Sequence, residues 1–424
     1  MIFANASIAP MKKGRTDLAA IAARLLETLI RRWKVTLAIA VTAMALAIGI
    51  GFVACGDDAQ AFQLRTPVPG QGAPFASALY QSLGVRMASG HDVAWLDNGA
   101  VFDSIVEDVG RAKTSVHVLL YIWEKGAASV RVTEALTERA KAGVKCRILV
   151  DAFGSPDFPE TVQPPLVAAG CEVRTFRPLP GIDKLARNHR KVVVIDGKVA
   201  ITGGFGIRDN WLGDGVHDDG WRDANVRFLG PAVSEAQQAF AENWQEAGGE
   251  LLPLEDFPIA EASGKATAAF ITSTASPVLT RAERLTQLMI AAATKRIWIS
   301  NAYFVPSRAI LQLLGRKASE GVDVRVLAPG KKSDSKTSFG AQHVEYGDLM
   351  KRGVRIWEYA PSMMHSKTML VDEELVLVGS INLEPLSLNK LEEVALVVED
   401  RAFADKLAAS FADDCAQSAE LSER

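Results

Sequence analysis

Short apolar runs alternate with longer stretches in which apolar residues recur at helical spacing. In the first half of the chain, the apolar runs predict strands at 115–123, 145–151, 172–176, 191–196 and 199–204. Between two of these runs, Val132, Leu136 and Ala140 recur at intervals of four, which places them on one face of a helix. Strands that alternate with helices predict an α/β fold with a mixed or largely parallel sheet.

The second half of the chain repeats the order of the first. Its apolar runs predict strands at 296–304, 322–329, 354–359, 367–372 and 375–380. The segment AKAGVKCRILVD in the first half also parallels ASEGVDVRVLAP in the second, which indicates an internal duplication. We therefore predict two similar lobes, residues 81–255 and 265–424, each a mixed β-sheet flanked by helices, related by a pseudo-twofold axis.

An uncharged apolar run of 21 residues, 35–55, lies near the N-terminus. About 20 apolar residues span a bilayer as a helix, so the run predicts a transmembrane helix between a basic segment, 1–34, and a polar linker, 56–80. A cleaved signal peptide and a lipoprotein signal at Cys55 are the alternatives. Basic residues precede the run, so the positive-inside rule predicts a single-pass anchor with its N-terminus in the cytoplasm and the body on the exported side.

Charge is distributed unevenly along the chain. The formal net charge is -3, and residues 1–55 contain seven Lys or Arg and two acidic residues, a balance of +5, so the remaining residues carry -3 - 5 = -8. An acidic body is a poor platform for nucleic acid, which favours basic surfaces. The four cysteines form no C-x-x-C pair, which argues against a zinc site and against a disulfide scaffold.

One motif, H-x-K-x-x-x-x-D, occurs once in each half of the chain. Its residues, which we predict as the catalytic set, are His189, Lys191 and Asp196 in the first half and His365, Lys367 and Asp372 in the second. Each copy runs into a tight turn, a second apolar strand and a glycine-containing corner. A single histidine two residues from a lysine is usually a surface pair, but two intact copies in matching contexts indicate a functional site.

Spacing along a strand limits what the motif residues can do. Side chains at positions i and i+2 share one face, so each histidine points the same way as its lysine. If the two lobes pack around a pseudo-twofold axis, both imidazoles and both ammonium groups converge on one pocket. The ammonium groups then hold phosphate oxygens, one imidazole attacks phosphorus, and the other protonates the departing alcohol. This chemistry requires no metal and no cofactor.

The acidic residues near the motifs fall into two groups. Asp196 and Asp372 have the opposite strand parity to the histidines, so we expect them to face away and to fix the turns that follow. Asp223 and Glu393 lie 34 and 28 residues after the histidine of their own half. They are the candidates for orienting the imidazoles and selecting their tautomer.

Two further groups of residues near the first motif allow alternative interpretations. The basic residues Lys184, Arg187 and Arg190 form either a solvated edge or a second contact for an anion. Trp211 and Trp221 either meet a membrane interface or pack inside the protein, and packing is the simpler interpretation. His217, in a loop rich in Gly and Asp, has no repeated partner in the other half.

Together these residues resemble the phospholipase D superfamily, and within it the chain is most similar to bacterial cardiolipin synthases. The resemblance covers about residues 85–415 and rests on the doubled motif and on the segments NHRK, WRD, NAYFVP, PSMMHSK and GSINLEPLS. It implies a two-lobed α/β fold and a phosphohistidine on His189, with His365 acting as acid and then as base. It also implies phosphate contacts from Ser380 and Asn382.

The resemblance implies an activity as well. The expected reaction joins two phosphatidylglycerol molecules into cardiolipin with release of glycerol, at the bacterial cell membrane. A phospholipase D that hydrolyses headgroups and an exported nuclease are the alternatives, and the acidic body argues against nucleic acid as the substrate. Gly206 stands where the family often has Asn, and Asn225 where it often has His, which bears on the choice of acceptor rather than on the phosphodiester chemistry.

Overall fold

A computed structural model of the chain describes residues 20–24, 27, 30–35, 37, 42, 68, 70–178, 186–217, 220–276 and 279–422. The chain divides into two units, Met1–Asp58 and Ala59–Arg424. The described residues of the first unit are helical. Most of the predicted transmembrane run, 35–55, lies outside the described residues, and no helix within the described part is long and apolar enough to cross a membrane.

The second unit is built around one large mixed sheet. Its strands are β1 Ala88–Asp97, β2 Ser115–Leu120, β3 Lys145–Asp151, β4 Glu172–Phe176, β5 Val192–Ile195, β6 Val199–Gly203, β7 Ala224–Leu229, β8 Ala266–Ser273, β9 Arg296–Asn301, β10 Asp323–Pro329, β11 Arg355–Tyr359, β12 Lys367–Val371, β13 Leu375–Gly379, β14 Glu393–Glu399 and β15 Ser418–Glu420. Its helices are α1 Gly72–Leu83, α2 Ala100–Gly110, α3 Ala127–Lys141, α4 Phe158–Thr161, α5 Gln163–Ala168, α6 Val233–Glu246, α7 Arg281–Ala292, α8 Arg308–Ser319, α9 Lys336–Lys351, α10 Pro385–Asn389 and α11 Arg401–Ala416.

The strand order is the same in both halves of the sheet. Read outward from its centre, the first half runs β1-β7-β6-β5-β2-β3-β4 and the second runs β8-β14-β13-β12-β9-β10-β11, with β15 added at the edge. In each half the last three strands are parallel and the others antiparallel. Strands β1 and β8 pair and join the halves. The predicted mixed α/β fold is confirmed.

Alternation of side chains along the strands produces an inner and two outer cores. In β5, Val192 and Val194 face an inner core that also contains Phe270 and Leu370 of the second half, whereas Val193 faces an outer core of the first half. This is the period of two expected for a strand buried on both faces. The two half-sheets therefore pack against each other, with α6 and α11 contributing side chains to the inner core. Helices α2 to α5 cover the outer side of the first half-sheet, and α1 and α7 to α10 cover that of the second.

Helix α1 occupies the end of the stretch for which a linker, 56–80, was predicted. Phe75, Leu79 and Leu83 are buried in the outer core of the second half, next to Leu285 of α7. Their spacing of four is the helical signal. The abundance of Gly, Pro and Gln around them hid this signal in the sequence.

Candidate active site

The two copies of the motif lie beside β5 and β12, where bridges connect the two halves away from the β1–β8 pair. His189 and Lys191 lie just before β5. His365 lies just before β12, and Lys367 is the first residue of β12. The backbone N–H of His189 donates to the carbonyl of Glu392 at 2.9 Å, and that of His365 donates to the carbonyl of Arg222 at 2.7 Å. Each motif is thus paired to the start of a strand from the opposite half, through the bridges Asn188–Glu392 and Arg222–Met364.

Each motif histidine contacts a carboxylate from the opposite half. His189 Nδ1 lies 2.9 and 3.0 Å from the two oxygens of Glu393, and His365 Nδ1 lies 2.9 Å from Asp223 Oδ2. Both carboxylates were predicted to orient imidazoles, and in the structure each contacts the histidine of the opposite half rather than the one that precedes it in its own half. The exchange follows from the bridges that place β14 beside His189 and β7 beside His365. Because an ionised carboxylate only accepts, Nδ1 carries the hydrogen and Nε2 is left for chemistry.

Two serine hydroxyls hold the Glu393 carboxylate. Ser380 Oγ donates to Oε2, and Ser387 Oγ donates to Oε1 at 2.5 Å. Ser380 was expected to contact phosphate, whereas in this structure its proton is committed to Glu393. Asn382, the other expected phosphate ligand, has a buried Oδ1 with no hydrogen-bond partner among the described residues. Ser387 was not predicted, although it lies in the same GSINLEPLS segment.

The Asp223 carboxylate has a different set of donors. Trp211 Nε1 donates to Oδ2 at 2.7 Å, and the backbone N–H of Ala224 donates to Oδ1 at 2.8 Å. The ring centroids of Trp211 and Trp221 lie 5.1 and 5.0 Å from that of His365. Both indoles are buried, which fits packing around the imidazole rather than contact with a membrane interface.

Both motif lysines are buried beside their histidines. Lys191 Nζ donates to the carbonyl of His189 at 2.7 Å, and Lys367 Nζ donates in the same way to the carbonyl of His365. Burial lowers the pKa of Lys191 to about 7, with Glu393 opposing the shift and the charge of Lys367 adding to it. Burial likewise lowers the pKa of Lys367 to about 8. The charge of Lys367 therefore acts on Lys191 of the other motif.

The two imidazoles are neutral near pH 7 when no anion is bound. Burial and then the charge of Lys367 lower the pKa of His365 to about 4, against the opposing effect of Asp223. Burial is also the main cause of a lowered pKa for His189, which Glu393 opposes and both lysines reinforce. A bound phosphodiester would bring a negative charge next to both rings and raise these pKa values.

The aspartates that end the motifs lie at the far ends of β5 and β12, away from the imidazoles, as their parity predicted. They were nevertheless grouped with the catalytic set, and the structure gives them another position. Asp196 accepts hydrogen bonds from the backbone N–H groups of 113–115, and Asp372 accepts them from those of 294–296. They therefore fix the loops that enter β2 and β9, not only the turns after the motifs.

The basic residues next to His189 are buried, so the solvated edge suggested for them is wrong for the two that the structure describes. The Arg187 guanidinium holds Asp151 with contacts of 2.9 to 3.1 Å, and Asp151 also accepts from the backbone N–H of Asn188 at 3.0 Å. Arg190 donates to Asn243 at 2.9 Å. Lys184 lies outside the described residues. Asp151 was missed because no repeated motif marks it in the sequence.

No group of three or more His, Cys, Asp or Glu side chains among the described residues could hold a metal ion. The chain matches the family model described as "Cardiolipin synthase, PLD-like domain" over residues 105–244 and 287–415. These two matched segments correspond to the two halves of the sheet, each with one copy of the motif.

Several bacterial proteins are similar to this chain over most of its length. Cardiolipin synthase A of Pseudomonas putida (strain W619) is 32% identical over 77% of this chain and 68% of its own length. Cardiolipin synthase 1 of Bacillus anthracis is 32% identical over 77% and 67%, and the cardiolipin synthase of Geobacillus kaustophilus (strain HTA426) is 34% identical over 78% and 67%.

Solved structures share the fold at much lower sequence identity. The phosphatidylserine synthase of Haemophilus influenzae Rd KW20 aligns with a TM-score of 0.61 and 14% identity, over 82% of this chain and 92% of that one. At this identity the likeness concerns the fold alone. By its family match and by its identity to these relatives, the chain belongs to the cardiolipin synthase family of phospholipase D-like proteins.

Proposed function

We propose that this protein is a phosphatidyltransferase that works through a phosphohistidine, and that it joins two phosphatidylglycerol molecules into cardiolipin with release of glycerol. The observation that carries the proposal is the exchange of carboxylates between the halves. His189 is held by Glu393 and His365 by Asp223, with a buried lysine beside each ring. Displacement at phosphorus needs a nucleophile, a proton donor and positive charge, which the two Nε2 atoms and the two lysines can supply.

The reaction then has two balanced steps. In the first, His189 Nε2 attacks the phosphorus of one phosphatidylglycerol, the bond to the glycerol oxygen breaks, and His365 Nε2 gives that oxygen a proton. In the second, a hydroxyl of another phosphatidylglycerol attacks the phosphorus, the bond from phosphorus to His189 Nε2 breaks, and the hydroxyl proton passes to His365 Nε2. The choice of His189 as the nucleophile rests on the resemblance to phospholipase D.

Anion binding prepares the groups for these steps. A phosphodiester between Lys191 and Lys367 replaces their mutual repulsion with two attractions, which favours both lysines in the charged form. Its charge also favours the imidazolium form of His365, the form that donates a proton. The Nδ2 amide of Asn382 is the group that would donate to a phosphate oxygen, while the backbone N–H of Asn382 is already bonded to Ser387 Oγ.

The organisation around this site includes two further proposals. The matching strand orders of the two half-sheets support a pair of lobes, 81–255 and 265–424, related by a pseudo-twofold axis. The uncharged run 35–55 supports a single-pass anchor in the bacterial cell membrane, and the basic residues before it support a body on the exported side.

The test is incubation of the full chain with labelled phosphatidylglycerol in vesicles, followed by separation of cardiolipin, phosphatidic acid and unreacted lipid. Cardiolipin with an equal amount of glycerol is expected, and His189→Ala and His365→Ala should each abolish it without loss of folding. Phosphatidic acid alone would replace the transferase with a hydrolase. Cleavage of a single-stranded oligonucleotide with no lipid turnover would replace it with a nuclease.

A further inference from the structure

The two carboxylates that hold the motif histidines are themselves held in different ways. In one half, the hydroxyl of Ser380 donates to Glu393, with Ser387 as a second donor. In the other half, Gly204 stands at the position that corresponds to Ser380, in the corner after β6 as Ser380 is in the corner after β13. A glycine supplies no side-chain donor, so Asp223 takes its donor from elsewhere.

The backbone at Gly204 approaches Asp223 too closely for any side chain. A Cβ atom built there would lie 2.2 Å from Asp223 Oδ1, a distance that real Cβ contacts do not reach. The first half therefore cannot use a serine hydroxyl at this position, as the second half does, because the side chain would clash with Asp223. The indole N–H of Trp211 occupies the equivalent chemical position, 2.7 Å from Asp223 Oδ2.

Trp211 is fixed in that position by its surroundings. Its side chain is almost fully buried, and it lies at the end of a short 3₁₀ turn, Asp209–Trp211. The Asp209 carboxylate accepts from the backbone N–H of Ala128 at the start of α3, at 2.9 Å. The indole therefore reaches Asp223 from a segment tied to the helical layer, and its N–H contacts the same carboxylate oxygen as His365 Nδ1.

We propose that Trp211 is a positioning residue that holds the Asp223 carboxylate against His365, in the role that Ser380 has toward Glu393 in the other half. The role rests on the proposed function only for its effect on turnover. An N–H donor on a carboxylate disperses its negative charge, and thereby weakens the support that the carboxylate gives to a protonated imidazole. Trp211 thus fixes the direction of Asp223 and limits the basicity of His365 together.

The charged groups facing this pair come from three elements. Lys367 lies on the strand that His365 leads into, Asp334 lies in the loop after β10, and Lys191 acts on Asp223 from the first motif. Asp334 accepts a hydrogen bond from the hydroxyl of Tyr303 at 2.9 Å. Substitution of Trp211 leaves all of these groups in place, so a change in the titration of His365 reports on the indole N–H.

The experiment compares Trp211→Phe with Trp221→Phe in the full chain. Phenylalanine keeps aromatic packing and removes the N–H. Trp221 packs against the same imidazole but has no hydrogen bond to Asp223, so its variant is the matched control.

Trp211→Phe should move the pKa of His365 upward by about 1, as read from the histidine ring signals in ¹⁵N NMR. It should lower kcat roughly tenfold with little change in KM, because the carboxylate is less well aimed. Trp221→Phe should leave the pKa of His365 unchanged.

Equal titration of His365 in the two variants would overturn the proposal. The NMR readout needs no turnover, so a wild-type protein that makes no cardiolipin would refute the proposed function and still test Trp211. If Trp211→Phe does not fold, the wild-type indole N–H signal serves instead, because it should shift with pH as His365 titrates. An indole signal unaffected across that titration would also overturn the proposal.

Discussion

At the scale of single residues, the site consists of groups whose usual ionisation is disturbed by burial. Each imidazole sits between a carboxylate that favours its protonated form and a lysine that opposes it. The balance leaves neutral rings and lysines poised close to neutrality until an anion arrives. This arrangement suits a nucleophile, which must be neutral to attack, better than it suits a permanent proton donor.

The crossed contacts lead to a prediction about the carboxylates. Glu393→Gln should lower the pKa of His189 and leave that of His365 unchanged, because a carboxylate supports the protonated ring that it contacts and an amide does not. Asp223→Asn should do the reverse. Each variant should also lower kcat by about 100-fold, in the range seen when a group that orients a histidine is neutralised.

The measurement is the pH titration of the histidine ring signals, with cardiolipin formation assayed in parallel. Glu373→Gln is the control, because Glu373 is a surface partner of Lys295 far from the imidazoles. A changed pKa of His365 in the Glu393 variant, with an unchanged pKa of His189, would indicate pairing within each half and contradict the crossed contacts.

A second prediction concerns pH. The pKa values of Lys191 and Lys367 are lowered to about 7 and about 8, so both are charged below pH 7 and neutral above pH 8. A charged lysine attracts the phosphodiester, so kcat/KM should fall as pH rises through 7 to 8, long before a free lysine would titrate. This fall should be smaller in kcat than in kcat/KM, because kcat/KM reports groups of the free enzyme, whereas bound lipid raises both pKa values.

The matching measurement is a pH profile of both constants between pH 6 and 10 on detergent-dispersed phosphatidylglycerol. The Lys191→Arg variant keeps its charge over this range, so the part of the fall in kcat/KM that is due to Lys191 should disappear. A kcat/KM that stays constant up to pH 9.5 would show that neither lysine titrates near neutrality.

At the scale of elements, the aspartates at the ends of the motifs connect each motif strand to the loop before the neighbouring strand. Asp196 and Asp372 each adopt a left-handed backbone, with φ of 52° and 51°, and each accepts backbone N–H groups from the loop entering the neighbouring strand. Asp196→Ala and Asp372→Ala should therefore each reduce the free energy of unfolding by about 2 kcal/mol. Asparagine, which tolerates the left-handed region and still offers an oxygen, should cost less.

The same contacts determine how the contribution of Asp196 to the free energy of unfolding changes with pH. The hydrogen bonds from 113–115 outweigh burial and lower the pKa of Asp196. Its contribution is therefore present above the ordinary range of an aspartate and is lost as pH falls through the lowered pKa. Denaturant unfolding at pH 7 checks the variants, with the exposed Asp405→Ala as control. Loss of cardiolipin formation with unchanged stability would instead assign these aspartates to the chemistry.

The elements also show what the sequence could and could not predict. The strands around both motifs follow directly from apolar runs, because a run buried on both faces has no competing pattern. Helix α1 escaped because its Phe75, Leu79 and Leu83 lie within a stretch whose composition is typical of a linker. The role of Ser380 escaped because spacing shows that a hydroxyl is near a corner, not which of two oxyanions it contacts.

At the scale of the whole molecule, the site exists only where the halves interlock. Parity and duplication predicted that two histidines and two lysines converge, since both are properties of one strand repeated. Neither property specifies which half supplies each carboxylate, which is decided by the bridges Asn188–Glu392 and Arg222–Met364. The crossed contacts make the catalytic geometry depend on docking of the half-sheets, so a change in the inner core alters both imidazoles at once.

The division of the chain yields the last prediction. Every group of the site lies in the unit Ala59–Arg424, so a protein lacking residues 1–58 should fold and keep its kcat on detergent-dispersed phosphatidylglycerol. If the run 35–55 is the anchor, the truncated protein should move from the membrane fraction to the supernatant and lose most of its activity on vesicles, because it must then find the bilayer from solution. Thermal unfolding and both assays, run beside the full chain, distinguish the possibilities. Equal vesicle activity and retention in the membrane fraction would place the membrane contact in the body, whereas loss of activity in detergent would tie the N-terminal unit to catalysis.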